Sequence, residues 1–258
     1  MSATFSAFRN LHHTAALFVL PNVWDAKSAR LFQENGFPAV ATSSAAVAES
    51  LGYPDGEGMP FYDYLFVITR ILAAVEIPLS VDLEMGYGKT DEQIYQNIKK
   101  LIDLGVAGIN IEDSSIDGSG RILKDADVFA QTVAHIRTRL SEEKLELFIN
   151  IRCDTFILDV DGKRRETNRR IKLYEAAGAD GIFLPCINDK DDIAEVINHT
   201  KLPLNVMCVP GLPGFETLSQ LGVKRASMGP FLFGKVYQDI GKLSNAISVN
   251  GSFLPLFS

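Results

Sequence analysis

The chain has 258 residues, 47% of them hydrophobic, and a formal net charge of −7. That length can bury a sizeable core and suits one large α/β domain, while the acidic balance argues against a broad nucleic-acid or anionic-membrane surface. Cys153, Cys186 and Cys208 show no CxxC spacing, so neither a disulfide framework nor a structural zinc site is indicated; with no signal-like N-terminus and no bilayer-length apolar run, the expected location is cytoplasmic.

In chain order, short apolar runs with strand character recur eight times: "ALFVLPN", "PAVATSS", "PLSVDLE", "AGINIED", "ELFINIRCD", "DGIFLPC", "PLNVMCV" and "RASMG". Amphipathic stretches lie between them, such as "DAKSARLFQENG", "DEQIYQNIKKLIDLG", "DADVFAQTVAHIRTRL" and "KRRETNRRIKLYEAAG". Several begin near Asp or Thr and end at Gly, the usual caps. This alternation, unbroken by a low-complexity linker, predicts an α/β fold: a (β/α)8 TIM barrel of parallel strands, a single domain over residues 1–258. An open doubly wound sheet would want a glycine-rich turn after the first strand, and "LPNVWDAKSA" has none. After the last strand, "FLFGKVYQDIGKLSNAI" predicts a C-terminal helix over about 230–247 with Phe231, Leu232, Val236, Ile240, Leu243 and Ile247 at largely helical spacing.

In such a barrel the chemistry collects at the C-terminal ends of the strands. Reading those ends in order gives Asn22, Trp24 and Asp25; Ser43 and Ser44; Asp82 and Glu84; Glu112 and Asp113; Asn150, Arg152 and Asp154; Cys186 and Asn188; then Asn205. If "PLSVDLE" is a strand throughout, Asp82 and Glu84 share one face, and two like charges there repel unless something positive lies between them. With Glu112, which shares a face with Asn110 in "GINIED", they suggest an all-oxygen site for a hard divalent cation. A buried ion-pair network, Arg152 against Glu112 for example, is the alternative that the residues alone leave open. Arg152 has the fork that matches a carboxylate or phosphonate, and Ser43 with Ser44 can present hydroxyl and amide groups to an anionic oxygen. Asp55, in the turn "YPDGE", is ambiguous by itself.

The motifs "LPNVWD", "AVATSSAAVAESLGYPDG", "VDLEMGYG", "GINIED" and "INIRCD", in that order and spacing, resemble the isocitrate lyase/phosphoenolpyruvate mutase superfamily. The resemblance implies a Mg²⁺-dependent barrel, with Mn²⁺ as a substitute, that binds a small 2-oxo acid or its enolate. Carried over by motif, Asp82 is the direct metal ligand, with Glu84 and Glu112 holding metal-coordinated water. Asp55, Arg152 and Ser43 form the catalytic set, and Ser43, Ser44, Arg152, Trp24 and Asn205 bind substrate. It also implies a homo-oligomer, dimer or tetramer, in which the C-terminal helix packs on or exchanges with another subunit.

The chain departs from that pattern after "IED". Relatives carry a long gating loop with a reactive Cys, or Lys and Asn contacts; here the segment is only "SSIDGSGRILKD", read as a flexible polar connection with Arg121 and Lys124 as anion contacts at most. The expectation is therefore a lyase that cleaves a C–C bond of a small 2-oxo or 2-hydroxy acid, by decarboxylation or retro-aldol cleavage, through an enolate stabilised by the metal. Oxalate should bind, and isocitrate and methylisocitrate should turn over poorly. The alternatives are phosphoenolpyruvate phosphonomutase or phosphonopyruvate hydrolase chemistry, and a barrel that binds an oxo acid without turnover.

Overall fold

The computed structural model describes residues 3–118 and 120–257. The first predicted strand is split by Pro21, which has no N–H to give to a ladder, into β1 (Phe18–Leu20) and β2 (Asn22–Val23). Then follow β3 (Val40–Thr42), β4 (Leu79–Asp82), β5 (Gly108–Glu112), β6 (Ser114–Asp117), β7 (Gly120–Leu123), β8 (Phe148–Arg152), β9 (Gly181–Leu184), β10 (Leu204–Met207) and β11 (Arg225–Ser227). All except β6 and β7 lie in one parallel sheet, ordered β1-β11-β10-β9-β8-β5-β4-β3-β2. Because β1 pairs with β11 and β2 with β3, the two fragments flanking Pro21 join the ends of that sheet into a (β/α)8 barrel. All eight predicted strand runs are present.

Ten helices accompany the strands among the described residues: α1 (Ala3–Leu11), α2 (Ala26–Glu34), α3 (Ser44–Ser50), α4 (Phe61–Leu72), α5 (Asp91–Leu104), α6 (Ala126–Glu142), α7 (Lys163–Ala176), α8 (Lys190–His199), α9 (Phe215–Leu221) and α10 (Phe231–Asn250). Their limits follow the caps. Thr90 accepts from the Gln93 amide to start α5, and Gly105, at φ +97°, ends it in the left-handed conformation that glycine adopts without cost. None is long and apolar enough to cross a membrane.

The main core lies between strands and surrounding helices, and a second cluster fills the barrel's N-terminal end. There α1, which the strand pattern did not predict, inserts Phe5 and Phe8 against Phe18, Leu20, Ala41 and Phe148. Each buried Phe contributes roughly 1.5–3 kcal/mol. The fit is close: a Cβ on Gly108 would lie 2.6 Å from the Phe8 ring. This plug closes one end of the barrel and leaves the other for chemistry.

Two expectations are corrected. Strand β4 ends at Asp82, and Glu84 sits at φ +53°, so strand alternation is not what orients it. The segment read as a flexible connection is an ordered antiparallel hairpin, β6 against β7, in which Ser114 pairs with Leu123 and Ile116 with Arg121.

Candidate active site

At the C-terminal end of the barrel a cavity of about 170 Å³ is lined by Asn22, Ser43, Ser44, Asp55, Asp82, Asn110, Arg152 and Ser227, with Phe183, Pro185 and Met207 on its apolar side. Drug-sized pockets begin near 300 Å³, so this one suits a small molecule. A larger open groove along α5, of about 790 Å³, contains none of the predicted site residues.

Asp82 is braced from below. Its amide donates to Thr42 Oγ1 at 3.0 Å, its carbonyl accepts from Tyr64 Oη at 3.0 Å, and Thr42 and Tyr64 hydrogen-bond each other at 2.6 Å. One carboxylate oxygen accepts from Ser44 Oγ at 2.8 Å; the other faces Asn110 Nδ2 at 3.5 Å. The Ser44 hydroxyl is thus spent on Asp82. Ser43 caps α3 through its hydroxyl, which accepts from the Ala46 amide, and its own amide donates to Val23 O.

Glu84 reaches the same quarter by a different route. Its carboxylate accepts from the Glu57 amide at 2.7 Å and the Tyr87 hydroxyl at 2.9 Å, while the Glu57 carboxylate accepts from the Tyr87 amide at 2.6 Å. Glu57, Glu84 and Tyr87 all have left-handed φ near +60°. These bonds tie the loop carrying Asp55 to the loop after β4. Burial, then the charges of Asp82 and Asp55, push the Glu84 carboxyl up to about 8.

The opposite side of the mouth is paired. Arg152 spans Asp154 with Nε and Nη2, at 2.6 and 3.2 Å, and its Nη1 lies 3.0 Å from Glu112. From the hairpin, Arg121 pairs with both Glu112 and Asp154. Glu112 is fully buried, and burial outweighs the two guanidinium groups, so its carboxyl is held above the usual range. Behind it, Asp113 accepts from Arg170 at 3.0 Å and Tyr174 at 2.7 Å.

The predicted residues therefore divide. Ser43, Ser44, Asp55, Asp82 and Arg152 meet at one cavity. Glu84 and Glu112 stand behind its wall. Trp24 does not line it: the indole packs edge-on against Phe233, 5.2 Å between ring centres. Asn205 does not either, being buried below and bonded to Val206 O, Arg225 O and Ser227 Oγ. Arg121 and Lys124, read as anion contacts, instead hold Glu112, Arg121 through its carboxylate and Lys124 through its carbonyl. Sequence reasoning passed over Ser227 as a cavity residue, although it stands two places after Arg225 in a short strand, the inward-facing spacing.

A model of one enzyme family, described as phosphoenolpyruvate phosphomutase, matches residues 8–248. The chain belongs to that family. Within the phosphoenolpyruvate mutase/isocitrate lyase superfamily, its relatives include an uncharacterized protein of Mycobacterium tuberculosis, 35% identical over 96% of this chain and 91% of that protein. Another is oxaloacetate decarboxylase 1 of Pseudomonas fluorescens (strain Pf0-1), 31% identical over 84% of this chain and 75% of the relative. Among solved structures, a candidate phosphonomutase from Burkholderia cenocepacia J2315 superposes with a TM-score of 0.89 at 34% identity, covering 95% of this chain and all of that one. The phosphoenolpyruvate phosphomutase family thus supplies both the barrel and an enzyme lineage.

The residues present fit a hard divalent cation. Among the described residues Asp55, Asp82 and Glu84 make no ion pair, and the Glu84 carboxyl is raised first by burial and then by the charges of Asp82 and Asp55, which a cation would offset. No cluster of three or more His, Cys, Asp or Glu chelates by itself among the described residues. A hard cation there would be held by one or two carboxylates, with water in its remaining positions.

Proposed function

We propose that the protein is a divalent-metal-dependent carbon–carbon lyase that decarboxylates a small 2-oxo dicarboxylate, with oxaloacetate the first substrate to try. The observation that carries this reading is the meeting, at one small cavity, of Arg152 with Asp55 and Asp82, which make no ion pair among the described residues. The named activity of the Pseudomonas relative points the same way. Asp82 would hold Mg²⁺ or Mn²⁺ directly and Asp55 would orient what surrounds it, while Glu84, and Glu112 from within its pairing with Arg121 and Arg152, would act through water. When bound, the ion supplies Lewis-acid stabilisation of negative charge on the 2-oxo oxygen.

The chain's own residues do the rest. Arg152 has two N–H groups hydrogen-bonded to Asp154 and an ion pair, not a hydrogen bond, with Glu112, which leaves donors of its five for a substrate carboxylate. Ser43 and Asn110 fix the other end. The C3–C4 bond then breaks, CO₂ leaves, and the electron pair passes to the carbonyl oxygen. The resulting enolate takes one proton at C3 from water, giving pyruvate. Among the described cavity residues there is no Cys, His, Lys or Tyr, and this reaction asks for only that single protonation.

The test is to supply oxaloacetate with Mg²⁺ or Mn²⁺ and measure pyruvate and CO₂ against the metal-only rate. Equal yields of the two, abolished by EDTA, support the reading. Phosphate release from phosphonopyruvate instead would move the enzyme to P–C chemistry, and oxalate binding without any product would mark a non-catalytic barrel.

The whole chain is read as one barrel domain that assembles with copies of itself. Of α10 only Phe233 is buried, while Phe231, Val236, Tyr237 and Ile240 are exposed; a second copy would cover that stripe. A dimer or tetramer by light scattering at micromolar concentration supports this, and a monomer overturns it.

A further inference from the structure

Below the cavity, on the barrel axis, lies a cation without an anion. Arg225, the first residue of β11, is 1% exposed, yet no carboxylate pairs with it among the described residues, and its Nε has no hydrogen-bond partner. Its Nη2 donates to Asn110 Oδ1 at 3.0 Å, and its Nη1 lies 3.5 Å from His12 Nε2. His12 is itself buried, stacked on Phe148, and held neutral: burial and the Arg225 charge bring it down to about 2. An unpaired buried charge costs several kcal/mol, so a fold that retains one gains something from it.

The gain is at Asn110. A guanidinium carries donors only, so the Asn110 atom facing Arg225 is the oxygen. Asn150 Nδ2 donates to that same oxygen at 2.9 Å. The amide nitrogen is therefore turned upward, where it faces Asp82 Oδ1 at 3.5 Å on the cavity wall. That contact is too long to hold the proton firmly, which leaves Asn110 N–H available to a ligand oxygen. Asn150 alone would not settle the orientation, because its amide can turn over; Arg225 has no such second face.

We propose that Arg225 is a positioning residue that locks the Asn110 side chain with its N–H toward the cavity, and that this N–H contacts the anionic ligand. The inference rests on the reading of the cavity as an oxo-acid site, and it says what orients Asn110 there.

The test uses the full chain, with oxalate in the presence of Mg²⁺ as the probe, by calorimetry. Arg225→Met should weaken oxalate about tenfold or more while Mn²⁺ affinity without oxalate stays within about twofold and the unfolding midpoint does not fall, since an unpaired charge has been removed. Arg225→Lys keeps a charged group that carries donors only and should stay within about threefold of wild type. Asn110→Ala should cost as much as Arg225→Met, and the double variant no more than either. Oxalate affinity unchanged in Arg225→Met, equal losses in the Lys and Met variants, or additive losses in the double variant would overturn the proposal. If Arg225→Met does not fold, the Lys and Asn110 variants decide. Failure of wild type to bind oxalate would count against the cavity reading instead. The Asn110 side-chain amide resonances then still test the lock without a ligand, by being single and sharp in wild type and Arg225→Lys; exchange broadening in wild type would overturn it.

Discussion

Two arcs of the barrel mouth use the same residue types to opposite effect. On the β5–β8 side every acid has a cation: Glu112 and Asp154 share Arg121 and Arg152, and Asp113 holds Arg170. On the β3–β4 side Asp82 and Glu84 have hydroxyls and amides for company, and neither they nor Asp55 make an ion pair among the described residues. The first arc is self-satisfied, so its charges stiffen the wall and aim Arg152. The second has negative charge to spare, and an added cation would lower its energy. Of the two readings weighed from the sequence, the ion-pair network is present on one half of the rim, and the metal site is the proposal for the other half.

The comparison breaks most visibly at Asp82. Asp82→Ala should lower Mn²⁺ affinity by about 10–100-fold and turnover at least as much, read by electron paramagnetic resonance titration and pyruvate formation; equal metal affinity in variant and wild type would erase the distinction between the arcs. Next in size, Arg152→Lys should weaken oxalate about tenfold by calorimetry, because an ammonium can neither span Asp154 nor offer a fork to the ligand. A pH slope sharpens the contrast. In EDTA the Glu84 carboxyl, raised to about 8 from an ordinary 4.5, keeps its proton in the folded protein and loses it in the unfolded one. Its contribution to stability is complete below the ordinary value and is lost as pH rises through the folded one. The unfolding midpoint should therefore fall by about 10 °C between about pH 5 and 8, at roughly 1.4 kcal/mol per pH unit and 2–4 °C per kcal/mol. Glu84→Gln should abolish that slope, and saturating Mg²⁺ should flatten it.

The barrel was legible because βα alternation and helix caps are local signals, and Ser43, Ser44, Asp55, Asp82 and Arg152 were legible through motif order. Other features depended on contacts distant in sequence. Glu84 lies near Asp82 as expected, but through a left-handed turn held by Glu57 and Tyr87, which no period-two count contains. Trp24 sits beside a strand end yet turns to Phe233, a residue more than two hundred places away. The hairpin has a readable sign, "SSID" and "GRIL" meeting at Gly118 and Gly120, but two short runs with so little apolar alternation are weak signals beside a long loop. Arg225 gave no warning, since a charged residue opening a short strand usually faces water.

The broken first strand also bears on how the molecule is made. Residues flanking Pro21 join the two ends of the sheet, but β1's partner, β11, is the last strand to be synthesised. During translation the nascent sheet can pair β2 through β10 in sequence while one edge waits, exposing unpaired amides and carbonyls of the kind that invite mispairing. Closure of so long a loop costs little more than closure of one half its length, so the delay is a matter of time on the ribosome rather than of free energy. Chains truncated before Arg225 should be open-edged and prone to aggregation, however complete the rest of their secondary structure.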